Sequence, residues 1–83
     1  MYSLRVSQKA AREIKNLDRK HQAAIIEALQ EIRENPLSGK PLTRELSGRF
    51  SYRVGVYRII YKVSQKDKII VIITAGHRST VYS

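Results

Sequence analysis

Apolar side chains recur along this chain at two different periods, and the switch between them divides it in half. In the first half Ile25, Ala28, Leu29 and Ile32 fall at i, i+3, i+4 and i+7, opposite Glu27, Gln30, Glu31 and Glu34. That spacing predicts an amphipathic helix. Asp18 can cap its start, and Asn35-Pro36 ends it because proline drives the preceding residue out of the helical region. Ala10, Ala11, Ile14 and Leu17 outline a shorter helix upstream, with Ser7 as its cap. A tight bend around Asn16 to Lys20 makes the two an antiparallel hairpin, preceded by a short strand over Tyr2 to Val6.

The stretch from Leu37 to Gly48 carries Gly39, Pro41 and Gly48 among polar residues and reads as an irregular connection, pinned to the core by Leu42 and Leu46. Beyond it the period becomes two. Phe50, Tyr52 and Val54 alternate with Ser51 and Arg53, and Tyr57, Ile59, Tyr61 and Val63 alternate with Arg58, Ile60 and Lys62. A polar turn at Ser64-Gln65-Lys66-Asp67 leads to Lys68 through Ala75, a β-branched run expected of a central strand buried on both faces. Thr80 to Tyr82 forms a tail or a further strand. The pattern predicts one α+β domain over residues 1–83: an N-terminal strand, a two-helix antiparallel hairpin, then a three- to four-stranded antiparallel sheet with the helices on one face.

Gly55 is the residue that a two-residue type II′ turn places first. With that turn Arg53 lies directly opposite Arg58, and the two guanidinium groups share one face while Tyr52, Val54, Tyr57 and Ile59 take the other. Like charges so placed destabilise a sheet unless an anion sits between them, and arginine forks match phosphate oxygens. The plain structural alternative is a solvated basic face, with either arginine paired to an acid.

Charge sharpens this picture. Sixteen Lys and Arg against seven Asp and Glu leave +9, a field that draws polyanions: RNA, DNA or an acidic protein. No cysteine is present, so neither disulfides nor thiolate metal sites contribute, as suits a reducing cytoplasm. The N-terminus lacks a signal-peptide pattern, and the longest apolar run, Ile69 to Ala75, is too short to span a bilayer. His21 has no partner at ligand spacing, which argues against a metal site. Tyr52, Tyr57 and Tyr61 fall on core positions rather than on a base-stacking platform.

A second constellation, Gly76-His77-Arg78-Ser79-Thr80-Val81-Tyr82, gathers an imidazole, a guanidinium, two hydroxyls and a phenol. Such groups serve as acid, charge stabiliser and base in phosphodiester cleavage. Taken alone, His77 reads as an edge-of-sheet histidine bonded to backbone, and Tyr82 as a packing residue that anchors the tail.

Phe50-Ser51-Tyr52-Arg53-Val54-Gly55-Val56-Tyr57-Arg58-Ile59-Ile60-Tyr61, joined to Ala75-Gly76-His77-Arg78-Ser79-Thr80-Val81-Tyr82, resembles the C-terminal half of RelE-type toxins of the RelE/ParE toxin-antitoxin superfamily. The helical hairpin and the segment from Gly39 to Gly48 extend the resemblance over essentially the whole chain. It implies a fold like that of microbial ribonucleases and a metal-independent endoribonuclease, needing no cofactor, that cleaves messenger RNA in the ribosomal A site. A cognate acidic antitoxin is the implied partner. By resemblance, Arg58, Arg78 and Tyr82 are catalytic, with Tyr82 as general base, and His77 is a candidate proton donor. Arg53, with Arg49 and Lys62, would bind RNA phosphates. Relatives commonly carry a basic residue where this chain has Ser51, and an acidic one where it has Val56. The alternative within the same fold is a ParE-like inhibitor of DNA gyrase without nuclease activity.

Overall fold

The computed structural model describes residues 1–43 and 47–77. Strand β1 (Ser3–Val6) leads into helices α1 (Gln8–Lys15) and α2 (Arg19–Glu34), followed by β2 (Lys40–Pro41), β3 (Arg49–Val54), β4 (Tyr57–Ser64) and β5 (Ile69–His77). The strands form one sheet in the order β1-β5-β4-β3-β2. β1 runs parallel to β5, whereas the other neighbours are antiparallel. The sheet is therefore mixed and five-stranded, wider than the antiparallel pattern expected from periodicity. The helical hairpin carries the chain from β1 at one edge of the sheet to β2 at the other, and the antiparallel run from β2 to β5 brings it back to lie parallel beside β1.

Both helix starts are capped as their sequence suggests. Ser7 Oγ accepts from the Ala10 amide at 3.0 Å and Asp18 Oδ1 from the His21 amide at 2.9 Å, each satisfying a backbone donor the first turn leaves free. Ala10, Ile25, Ala28, Leu29 and Ile32 then pack against Ile59, Tyr61, Ile70, Ile72 and Ala75 from the sheet. Ala11, expected on the same stripe, is exposed.

Two expectations about β5 are corrected. The strand does not stop at Ala75, because Tyr57 and Arg58 at the start of β4 pair with His77 and Gly76 and carry the ladder to the glycine and histidine. Nor is it buried on both faces throughout: Ile70 and Ile72 are fully buried, while Ile69, Val71 and Ile73 are only half-buried, since the helices cover one side. A β-bulge follows. Ile60 pairs with Thr74 but Tyr61 with Ile72, leaving Ile73 as the extra residue and reversing the alternation beyond it. Thr74 and Gly76 thereby move to the face away from the helices.

The connection after α2 is held by a residue the hydrophobic pattern assigned only to the core. Tyr61 is fully buried, and its hydroxyl donates to the Pro36 carbonyl at 2.8 Å while accepting from the Gly39 amide at 2.9 Å. Leu42 is half-buried, its amide bonded to the Arg49 carbonyl at 2.9 Å. Leu46 and the tail from Thr80 to Tyr82 lie outside the described residues.

Candidate nucleic-acid interface

The turn between β3 and β4 determines which side chains share the outer face. Val54 pairs with Tyr57, leaving Gly55-Val56 as a two-residue loop with Gly55 at φ 60° and Val56 at negative φ. This is the type II′ arrangement. Its register puts Arg53 opposite Arg58 and Arg49 opposite Lys62. These residues alternate with Phe50, Tyr52, Val54, Tyr57, Ile59 and Tyr61, which pack on the helix side. The four cations therefore project from the face the helices leave uncovered.

The row extends further than the hairpin. Lys62 pairs with Val71, and Val71 with Arg5 of β1. Arg5, Lys62 and Arg49 thus align across the sheet over about 14 Å, three strand spacings. Along β4, Lys62 and Arg58 are about 13 Å apart. Among the described residues no strand contains an Asp or Glu. The acids of α2 lie in the helix layer, where Glu31 accepts a hydrogen bond from the Tyr52 hydroxyl. Cations occur in both layers, the helices carrying Lys9, Arg12, Lys15, Arg19, Lys20 and Arg33, but the only charged residues in the described strands are cations.

Arg58 is half-buried, with its Nε withdrawn from solvent, and Gly76 stands opposite it with no side chain to fill the face. Ser51 is buried on this same face between Lys40 and Ile60. Arg53 is exposed beside the turn of the hairpin.

His77 is placed differently. Its partner in register is Tyr57, so its ring belongs to the helix-side alternation and meets the Tyr57 ring edge-on at 5.9 Å between centroids. The Tyr57 ring also meets the His21 ring of α2, at 5.1 Å between centroids. His21 is fixed in turn by Asp18, whose Oδ1 lies 2.7 Å from the imidazole Nδ1. Those two contacts hold the Asp18 carboxyl below its ordinary pKa of 3.8, the hydrogen bond from the His21 amide first and that from the ring second. Arg53 and Arg58 are brought together; His77 is not on their face. Arg78 and Tyr82 lie outside the described residues.

One contributor was not legible as such in the sequence. Glu13 of α1 accepts from Thr74 Oγ1 at 2.7 Å and from the Ala75 amide at 3.0 Å. The only signal was an acid three residues after Ala10, beside the apolar stripe of a helix.

A family model described as the ParE toxin of the type II toxin-antitoxin system parDE matches residues 4–82. The chain belongs to the RelE/ParE superfamily of type II toxins. This toxin is 37% identical over 83 residues to toxin RelG of Mycobacterium tuberculosis, covering 98% of this chain and 95% of the relative. It is 34% identical to toxin RelE of the same organism, covering 98% and 86%. Among solved structures, a chain of the toxin-antitoxin complex RelBE2 from M. tuberculosis superposes with a TM-score of 0.85 at 37% identity, over 93% of this chain and 98% of that one. The isolated RelE toxin of Escherichia coli, at 23% identity, matches in fold with a TM-score of 0.80. No helix among the described residues is long and apolar enough to cross a membrane.

Proposed function

We propose that this RelE/ParE-family toxin is a ribosome-dependent endoribonuclease that cleaves messenger RNA in the A site and is neutralised by a cognate acidic antitoxin. The observation that carries the reading is the Arg53–Arg58 pair on a sheet face where no described strand residue is acidic. Two adjacent guanidinium groups offer hydrogen bonds and charge to the nonbridging oxygens of one phosphate. The similarity to toxins RelG and RelE favours the nuclease over the gyrase-directed alternative, and the complex formed by RelBE2 supports an antitoxin partner. The site of action is the cytoplasm, where ribosomes present the message.

In this mechanism the ribose 2′-oxygen forms a bond to the adjacent phosphorus as the bond to the 5′-oxygen breaks, giving a 2′,3′-cyclic phosphate and a free 5′-hydroxyl. Arg58, with Arg53 and Arg78, stabilises charge on the phosphate. Tyr82 takes the proton from the 2′-hydroxyl. A phenol with an ordinary pKa of about 10 is a weak base at neutral pH, so the role requires Arg58 and Arg78 to favour phenolate. His77 faces Tyr57, and the leaving 5′-oxygen is protonated by water. The ribosome contributes in-line geometry by holding the message.

Induction in a permissive bacterium, with 5′ ends mapped on transcripts and DNA-damage signalling followed in parallel, tests the reading. Codon-phased cuts that vanish in Arg58→Ala and Tyr82→Phe are expected. Damage signalling without such cuts would replace the nuclease by a gyrase inhibitor.

A further inference from the structure

Among the described residues, strand β5 has no strand neighbour on one side beyond Ile72, where β1 ends. Residues 73–77 would there present an open edge of backbone donors and acceptors. Helix α1 covers it in place of a strand. Ser7 Oγ donates to the Ile73 carbonyl at 2.7 Å, and half-buried Glu13 takes both the Ala75 amide and the Thr74 hydroxyl on one carboxylate oxygen. A backbone carbonyl in a regular ladder would have engaged the amide alone. The bulge at Ile73 makes the second contact possible, because it turns Thr74 away from the core, onto the side where Arg58 projects. The next residue after Ala75 is Gly76, directly across from Arg58.

We propose that Glu13 is a positioning residue of the nuclease site: by holding Thr74 and Ala75 at the free edge of β5 it fixes the strand that faces Arg58. This rests on the nuclease reading of that face. What the arrangement requires of residue 13 is an acceptor oxygen, not a charge, since both partners are neutral donors. Glutamine therefore replaces it and alanine does not.

The test compares wild type, Glu13→Gln and Glu13→Ala in cleavage of message on programmed ribosomes, together with hydrogen exchange of the Ala75 amide. Displacement of about 1 Å near a reacting phosphate costs on the order of 10- to 100-fold in rate. Glu13→Ala is expected to lose at least about tenfold in kcat with KM within about twofold, and to speed Ala75 exchange. Glu13→Gln is expected to restore both to within about threefold of wild type. An unchanged kcat in Glu13→Ala, or a Glu13→Gln as impaired as Glu13→Ala, overturns the proposal. Should Glu13→Ala not fold, Thr74→Val removes one donor at constant shape, and an unchanged kcat there overturns it equally. A wild-type chain that leaves message uncut overturns the nuclease reading, and the positioning role with it; a wild type that cuts beside an equally active Glu13→Ala overturns the positioning role alone.

Discussion

Arg53 and Arg58 stand directly opposite one another across the β3–β4 hairpin, a like-charge pair held in register by the Gly55 turn. Directly opposed like charges cost a sheet up to about 1 kcal/mol. Arg53→Thr, which also restores a β-branched side chain, is accordingly expected to raise Tm by about 2–6 °C at low salt. The gain should shrink as salt screens the repulsion, while RNA binding weakens. Thermal melts at two ionic strengths check this, and a lowered Tm at low salt would mean that Arg53 is held by attraction.

Tyr61 ties the connection after α2 to the sheet. Removing its hydroxyl strands the Gly39 amide and the Pro36 carbonyl, at a cost of about 1–3 kcal/mol. Tyr61→Phe should therefore lower Tm by roughly 10 °C. Gly39→Ala should be comparably damaging, because a Cβ there would lie 2.6 Å from the Tyr61 hydroxyl and 3.1 Å from the Ser51 carbonyl. A melting curve for Gly39→Ala that overlays wild type would show that the segment relaxes freely.

Burial also raises the Tyr61 pKa above its ordinary 10.0, against the opposing hydrogen bond from Gly39. The folded state then keeps its proton more tightly than the unfolded one. Stability from this source is complete below pH 10.0 and declines as pH rises through the folded-state value. Tyr52 shifts in the same direction, chiefly through its bond to Glu31. Denaturant titrations from pH 8 to 12 should show the loss, smaller in Tyr61→Phe than in wild type.

Asp18 gives the complementary acid limb. Its pKa is lowered, so its contribution is present above the ordinary value of 3.8 and is lost as pH falls through the folded-state value. Asp18→Asn keeps a capping oxygen for the His21 amide but cannot titrate. Its Tm should therefore fall less steeply than that of wild type below pH 4. Parallel acid slopes in the two proteins would count against the assignment.

What could be read in advance followed from locally encoded features. The Gly55 turn, the capping side chains of Ser7 and Asp18 and the apolar stripe of α2 each lie within a few residues of what they determine, and so the Arg53–Arg58 register was accessible. The parallel pairing of β1 with β5 was not, because a partner some sixty-six residues away, as Ser3 is from Ile69, leaves no local trace. The bulge at Ile73 was equally hidden: an unbroken β-branched run has no alternation whose reversal could be seen. That hidden residue decides the site, since it moves Gly76 onto the Arg58 face and keeps His77 on the other. Glu13 was illegible for a similar reason, as its partners lie on a strand edge that only the topology exposes.

Lys62 provides a quantitative test of the row formed with Arg5 and Arg49. Each phosphate neutralised on single-stranded nucleic acid contributes about 0.7 to the slope of log K against log salt. Lys62 is exposed at the centre of that row, away from the Arg53–Arg58 end of the hairpin. Lys62→Gln should thus lower the slope by about 0.7 and weaken binding similarly for every RNA sequence, because a phosphate contact carries no base information. Arg58→Ala should lower the slope by a similar amount and abolish cleavage as well. If Lys62→Gln leaves the slope unchanged, RNA does not extend across the sheet from the arginine pair, and the row through Arg5 and Arg49 serves solubility alone.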